Sequence, residues 1–394
     1  MFTSFIIYRK VMSIFVRFIR LLSAMRRVLV YFTIYGLGRT LFKVAGRLGT
    51  SGVSIVRFWR FFFESGNKCI GLIGCGQYGF STIGYFSSSH SGKRFASAFD
   101  TDENRLVQFC AAYGCDALVS ASAVIADPRV NVIYVASNHA THASYAIEAL
   151  EAGKTIYIEK PIATDISQLK SLYTAWISSS GKLYCGYNRP LSPIIGDFTS
   201  SYLSGNFSAA FSLFCNIVGH ALPADHWYRN PGEGSRICGN LGHWIDLSVH
   251  LFARRSRRFH LYGTLTYADP EYRDENLVVS LTSSTGDVVS IAFSARGEPF
   301  EGVQEQIVCQ VGDVSLFIDD FRSFRLDAGR WSKRVKLNRK DPGHRRSVLQ
   351  PFSGDYSRDI AEVFASGLLI LQISDAVNSG ETSFSTTLDL DNIF

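Results

Sequence analysis

No acidic residue occurs in the first 63 positions of this 394-residue chain, which hold eleven Lys and Arg. The net charge of +6 therefore belongs to that segment. The remaining residues carry 29 basic against 34 acidic side chains, a net of −5. A mildly acidic body offers no basic footprint, so nucleic acid is not an expected partner. CxxC pairs are also missing. Cys69, Cys75, Cys110, Cys115, Cys185, Cys215, Cys238 and Cys309 are scattered, which fits reduced thiols in a cytoplasmic setting and not a disulfide framework. There is no internal repeat and no long low-complexity segment. Charged residues at 19% and aromatics at 13% exclude wholesale disorder. The length leaves room for two domains of ordinary size.

Residues 1–63 lack an apolar run long enough to cross a bilayer. The longest uncharged stretch, Val28–Gly38, has eleven residues. No small-residue cleavage site follows a clean apolar core, so a secretory signal is a poor fit. Aromatic and aliphatic residues interleave with Arg9, Lys10, Arg17, Arg20, Arg26, Arg27, Arg39, Lys43, Arg47, Arg57 and Arg60. That pattern suits helices lying in a membrane interface, where each engaged cation contributes roughly 1 kcal/mol. Residues 1–66 are thus expected to be a basic amphipathic extension. It would make peripheral contact with the inner face of a membrane, and the fold would begin at Lys68. A disordered or partner-packed extension is the alternative.

From Lys68 the pattern becomes strand, glycine turn, helix. Ile70, Leu72 and Ile73 lead into Gly74, Gly76 and Gly79, spaced as G-x-G-x-x-G. The first glycine permits a tight turn, the second lets backbone approach a pyrophosphate, and the third lets helix sit close on strand. The helix start that follows offers unpaired N–H groups to phosphate. Strands are expected at Cys69–Ile73, Phe95–Phe99, Asp116–Val119, Val132–Ala136, Thr155–Ile158 and Leu183–Gly186. Helices are expected between them at Tyr78–Ser87, Glu103–Tyr113, His142–Ala152 and Ile166–Ser178, with Gly114 and Gly153 as stops. This rhythm means a doubly wound parallel sheet. Asp100 closes the second strand about twenty residues past the last glycine, where a carboxylate bonds the adenosine ribose and repels a 2′-phosphate. NAD is accordingly favoured over NADP. Asp102 reads as a helix cap.

Beyond about residue 205 longer strands take over, at Ala209–Val218, Phe259–Thr266, Leu277–Thr282, Val288–Phe293, Gln306–Val311 and Val314–Ile318. One helix, Asn240–Phe252, lies against them. The basic stretch Arg330–Arg346 reads as a solvated loop, and SFSTTLDL near the end is strand-like. Three segments result: the extension 1–66, a dinucleotide-binding domain 67–190, and an α+β domain 191–394 with a large, mostly antiparallel open sheet.

Four blocks carry a resemblance: GLIGCGQYG, VNVIYVASNHATHASYAIEALEAGKTIYIEKPIA, CGYNRPLSP and GSRICGNLGHWIDL. They resemble the glucose–fructose oxidoreductase / inositol 2-dehydrogenase (Gfo/Idh/MocA) family. ALPADHWYRNPGEGSRI and KDPGH are most similar to the branch fused in bacterial bi-domain oxidoreductases. The resemblance implies a Rossmann domain and an NAD(P)-dependent oxidoreductase. It would move a hydride between nicotinamide and a secondary alcohol of a sugar, cyclitol or nucleotide-sugar. A homo-oligomer is expected, and so is a closing helix after the last strand, which this chain does not continue into.

The resemblance implies that Lys160 is catalytic, its ammonium stabilising a developing alkoxide, and that His243 exchanges the proton. Gly74, Gly76, Gln77, Tyr78, Gly79, Asp100, Ser137, Asn138, His142, Glu159 and Lys160 are expected at the cofactor. Asn188, Arg189, His226, Trp227, Asn240 and His243 are expected at the substrate, with Trp227 and His226 stacking on a sugar ring. His142 could equally be a core histidine, and Asn188 and Arg189 a link between domains. No metal is expected, although His243, Asp246 and His250 share a helix face. One departure stands out: many members place an aspartate four residues before the histidine, where this chain has Gly239. Either Lys160 and His243 carry the proton alone, or the chain is a weak or silent homologue. An enzyme with a tightly bound, recycling cofactor is the other alternative.

Overall fold

The computed structural model describes residues 2–63, 65–203, 209–230, 232–354 and 358–394, without the side chains of residues 2–21 and 63. Arg9, Lys10, Arg17 and Arg20 therefore lie outside the described side chains. The chain opens with α1 (Phe2–Arg47) and α2 (Val53–Phe63). Helix α1 breaks at Gly36, whose φ of +75° no ordinary side chain adopts readily. The break leaves the Ile34 carbonyl free to accept the backbone N–H of Lys340 at 2.9 Å.

The later part of the extension belongs to the core. Phe42 is fully buried among the rings of Trp59, Tyr85 and Tyr113. Ala45, Val53 and Val56 share one apolar cluster with Ile70, Leu72 and Phe95 of the first sheet. The expectation that the fold begins at Lys68 is therefore corrected. Small residues make the approach possible: a Cβ on Gly52 would lie 2.2 Å from the Ala45 carbonyl oxygen.

The first sheet is parallel, with β1 (Lys68–Ile73), β2 (Arg94–Phe99), β3 (Asp116–Ala117), β4 (Val132–Val135), β5 (Thr155–Ile158) and β6 (Leu183–Cys185). Their order is β3-β2-β1-β4-β5-β6, so the topological switch falls between β1 and β4, where ligands bind in such sheets. The helices α3 (Gly84–His90), α4 (Glu103–Tyr113), α5 (Ala121–Ala126), α6 (His142–Glu151) and α7 (Ile166–Ser178) connect them. Asp102 caps α4 by accepting the N–H groups of Asn104 and Arg105, and Gly114 closes it at φ +65°. A wide turn, Gly79–Ile83, precedes α3, which runs three residues past the expected Ser87.

Next comes α8 (Pro193–Tyr202), then the second sheet of β7 (Phe211–Val218), β8 (Arg258–Tyr267), β9 (Asn276–Ser283), β10 (Val288–Ser294), β11 (Gln304–Val311), β12 (Val314–Asp319), β13 (Ser323–Ala328), β14 (Trp331–Lys336) and β15 (Ser383–Asp389). The order is β14-β13-β12-β11-β7-β10-β9-β8-β15. Every pairing is antiparallel except β7 with β10. Helix α9 (Gly242–Arg255) packs on it, with Phe252 against Phe211 and Phe259.

The sequence reading is corrected in several places, α8 and β13 among them. Part of the basic stretch after Ala328 forms edge strand β14 and not a loop. A short helix, α10 (His344–Leu349), follows it. Helix α11 (Ile360–Ser379) precedes β15 and contacts α7 and α9, where no helix was expected. Residues 22–47 and α11 are long and apolar enough to cross a membrane by length and composition, yet more than half of the most apolar 18-residue window in each is buried in the fold.

Candidate functional site

The turn after β1 meets the three glycine requirements. A Cβ on Gly74 would lie 2.4 Å from the Ala136 carbonyl, and one on Gly79 would lie 2.3 Å from the Gly74 carbonyl oxygen. At Gly76 the nearest atom is Arg105 Nη1 at 3.9 Å, so the backbone there faces open space. That open cradle fits a dinucleotide pyrophosphate. Asp100 pins the loop, accepting Cys75 N–H at 2.6 Å and Asp102 N–H at 2.8 Å.

Gly76, Gln77, Tyr78, Ser137, His142, Glu159, Lys160, Asn188, Trp227 and His243 all line one cleft of about 360 Å³. Asn240 and Arg189 line a second cavity beside it. His226 lines neither; its Nδ1 accepts Tyr228 N–H at 3.2 Å, so this expected substrate residue is a local cap.

Lys160 sits at the end of β5, before a cis bond to Pro161. Its Nζ donates to the Gly239 carbonyl at 2.5 Å. Glu159 lies beneath it, accepting Tyr157 O–H at 3.0 Å and Lys160 N–H at 3.2 Å. Burial pushes its carboxyl up against the opposing pull of Lys160. His243, in the first turn of α9, keeps some exposure to the cleft, while its buried Nδ1 has no partner among the described residues. Nε2 is thus the nitrogen open to the cleft. Burial, then the cations Arg189 and Lys160 and the ring of His344, hold its pKa well below the usual histidine range.

Other expected contacts are already engaged. His142 faces the carbonyls of Pro161 at 2.8 Å and Ser137 at 3.1 Å, bridging two loops of the cleft. Asn138 donates to Glu233 at 2.7 Å. Arg189 clamps Glu305 at 2.9 and 3.3 Å, and Asn188 donates to the Pro342 carbonyl at 2.9 Å. These two act as the link between domains. Asp246 accepts Arg358 at 2.7 and 2.8 Å, and His250 meets Glu362 at 2.8 Å.

Four residues in or behind the cleft walls were not among the expected site residues; His139 and His344 line the cleft, and Tyr228 and Glu233 support it from behind. Tyr228 fills the space an aspartate at 239 would need: a Cβ there would lie 2.4 Å from its ring. Glu233 ties the second domain to the 138–140 loop. His139 meets Trp227 edge to face, with ring centroids 4.6 Å apart. His344 lines both cavities, and KDPGH was its signal. Gly343 there has φ +95°, and a Cβ would lie 2.2 Å from the Asn188 carbonyl oxygen.

Residues 68–187 match the model of an oxidoreductase family with an NAD-binding Rossmann fold. The inositol 2-dehydrogenase of Gluconacetobacter diazotrophicus is 31% identical over 258 residues, covering 63% of this chain and 73% of that protein. The chain belongs to the Gfo/Idh/MocA oxidoreductase family. Inositol 2-dehydrogenase 2 of Saccharopolyspora erythraea is 26% identical over 257 residues, or 63% of this chain and 72% of its own. Levoglucosan dehydrogenase, solved with NADH and levoglucosan, superposes with a TM-score of 0.66 at 16% identity, over 82% of this chain and 99% of that one. GenD2 from gentamicin A biosynthesis, solved with NAD, gives 0.66 at 14% identity, over 81% and 96%. These structures share the two-sheet fold of this oxidoreductase.

Proposed function

We propose that this oxidoreductase is an NAD-dependent dehydrogenase acting on a secondary alcohol of a sugar, cyclitol or nucleotide-sugar. The carrying observation is that Lys160, His243 and the open backbone at Gly76 line one cleft at the topological switch. When bound, the nicotinamide takes a hydride from the carbinol carbon or returns it. Lys160 stabilises the oxygen as it becomes an alkoxide. His243, neutral at physiological pH, takes the hydroxyl proton at Nε2. Trp227 offers an apolar face to the sugar ring. The Asp100 carboxylate, at the end of β2, favours NAD over NADP.

The test is NADH formation by the full chain over a panel of myo-inositol, monosaccharides and nucleotide-sugars. Turnover that Lys160→Ala abolishes supports the reading. Tight NADH binding with no turnover on any substrate overturns it in favour of a silent homologue. Tyr228 packed against Gly239 is the observation behind that second reading, since no carboxylate backs Lys160 there.

Two partners belong to the same reading. Phe214, Tyr262 and Val288 lie exposed on the strands of the second sheet, which suits pairing of two copies through that sheet. Phe58, Phe61 and Phe62 project from α2 at 69%, 83% and 61% exposure, beside Arg57. That cluster supports peripheral contact with an anionic inner membrane face. Failure of the full chain to float with anionic vesicles overturns that contact.

A further inference from the structure

The cavity beyond His243, about 230 Å³, is walled partly by the amino-terminal helix, through Tyr35, Arg39 and Lys43. It shares Tyr78, His243 and His344 with the cofactor cleft. The proton acceptor thus stands where the two spaces meet. A substrate whose carbinol lies at Lys160 and His243 extends its remaining substituents toward α1.

The charges around this cavity do not balance. Lys43 pairs with Glu301 at 2.7 Å, Arg189 with Glu305 at 2.9 Å, and Lys340 with Asp320 at 2.5 Å. Arg39 is the fourth cation, only 7% exposed, and among the described residues no carboxylate meets it. Its Nη2 reaches the Thr82 hydroxyl at 3.4 Å, its Nε has no partner, and the guanidinium lies over Tyr35 at 4.4 Å and Phe86 at 5.2 Å. A buried arginine in such a state costs stability unless an anion completes it. Aromatic faces hold the guanidinium in place without consuming its in-plane donors, which suits bidentate capture of an anion.

The geometry points to Arg39 as a specificity-determining residue, binding a carboxylate or phosphate substituent of the substrate in the cavity beside His243. This rests on the dehydrogenase reading and narrows its substrate class to an anionic sugar or cyclitol. It also gives the kinked helix a task, since the break at Gly36 seats the residues that follow over the cleft.

The test is binding by the full chain with saturating NADH, so that the cofactor's own phosphates are already placed. Glucuronate, glucose 6-phosphate and glucose are titrated by calorimetry and by thermal shift, on wild type, Arg39→Gln and Arg39→Lys. Expected is a preference of at least about tenfold for one anion over glucose, lost in Arg39→Gln and only partly kept in Arg39→Lys, whose ammonium keeps the charge but not the bidentate fork. The preferred sugar tells carboxylate from phosphate. Equal binding of glucose and both anions by wild type overturns the proposal, and this needs no variant to fold. An anion preference unchanged in Arg39→Gln overturns it too. A chain that binds these anions through Arg39 yet never turns over fails the dehydrogenase reading and leaves this site standing.

Discussion

The Lys160 ammonium donates to the backbone carbonyl of Gly239 at 2.5 Å, with the Tyr228 ring packed over that glycine. A carbonyl can aim a lysine but cannot take its proton. On the proposed dehydrogenase reading, Lys160 therefore serves as an electrostatic partner for an alkoxide and not as a proton relay. Lys160→Ala should lower kcat by about 10²–10⁴-fold and leave NADH affinity intact. Steady-state turnover beside a nucleotide titration checks the split.

The same packing makes a carboxylate at 239 unwelcome. Gly239→Asp would drive a Cβ to 2.4 Å from the Tyr228 ring, an overpacking cost of about 1–3 kcal/mol. Its Tm should fall. Pairing it with Tyr228→Ala should recover part of that loss, measured by thermal unfolding of the single and double variants.

His139, His142, His243 and His344 are all held below the usual histidine range, in each case chiefly by burial. A histidine depressed in the folded state stays neutral there, while the unfolded chain takes up a proton below its ordinary value near 6.5. Stability is thus present above about pH 6.5 and lost as pH falls, by up to about 1.4 kcal/mol per pH unit for each such group. Glu159 and Asp246, pushed up by burial, oppose part of this. Tm should drop between about pH 7 and pH 5.5, and a scan of His344→Asn should show a shallower slope. Turnover at the same time should show no acid limb at the ordinary histidine value, because His243 remains neutral.

Asp100 pins the glycine loop, and on the proposed reading its carboxylate meets the adenosine ribose. Asp100→Ser should reduce the NAD to NADP preference in kcat/KM by about tenfold or more. A small loss of affinity for both cofactors should accompany it, from the loosened Cys75 amide. Parallel kinetics with the two cofactors checks this.

What the sequence made legible follows from what each residue pattern encodes locally. Glycine punctuation and short β-branched runs marked β1 to β6 to within a residue or two, because parallel strands are buried on both faces and end at turns that need glycine. Helix α11 was not legible: it is buried on nearly all sides, so its apolar residues show no 3.6-residue stripe. Strand β14 reads as charge because it is an exposed edge, and edge strands carry lysine and arginine to block further pairing. At the site, Lys160 and Gly76 were legible through local motifs. Tyr228, Glu233 and Arg39 were not, since each meets residues eleven to ninety-five positions away that only tertiary packing brings near.

The amino-terminal helix gives the sharpest contrast between the two views. Its composition reads as a detachable basic tail, yet Phe42 is fully buried and touches Trp59, Tyr85 and Tyr113. Removing that ring should cost about 3–5 kcal/mol, the transfer and cavity loss of a core phenylalanine. An exposed position on the same helix, Met25 at 55% exposure, should tolerate alanine within about 0.5 kcal/mol. Denaturant unfolding of Phe42→Ala and Met25→Ala measures both. If α1 were a tail, the two variants would unfold together with wild type. If it is part of the core, Phe42→Ala alone shifts. Because Arg39 and Lys43 flank Phe42 on the cavity side, the same variant should weaken substrate binding more than it weakens NADH binding.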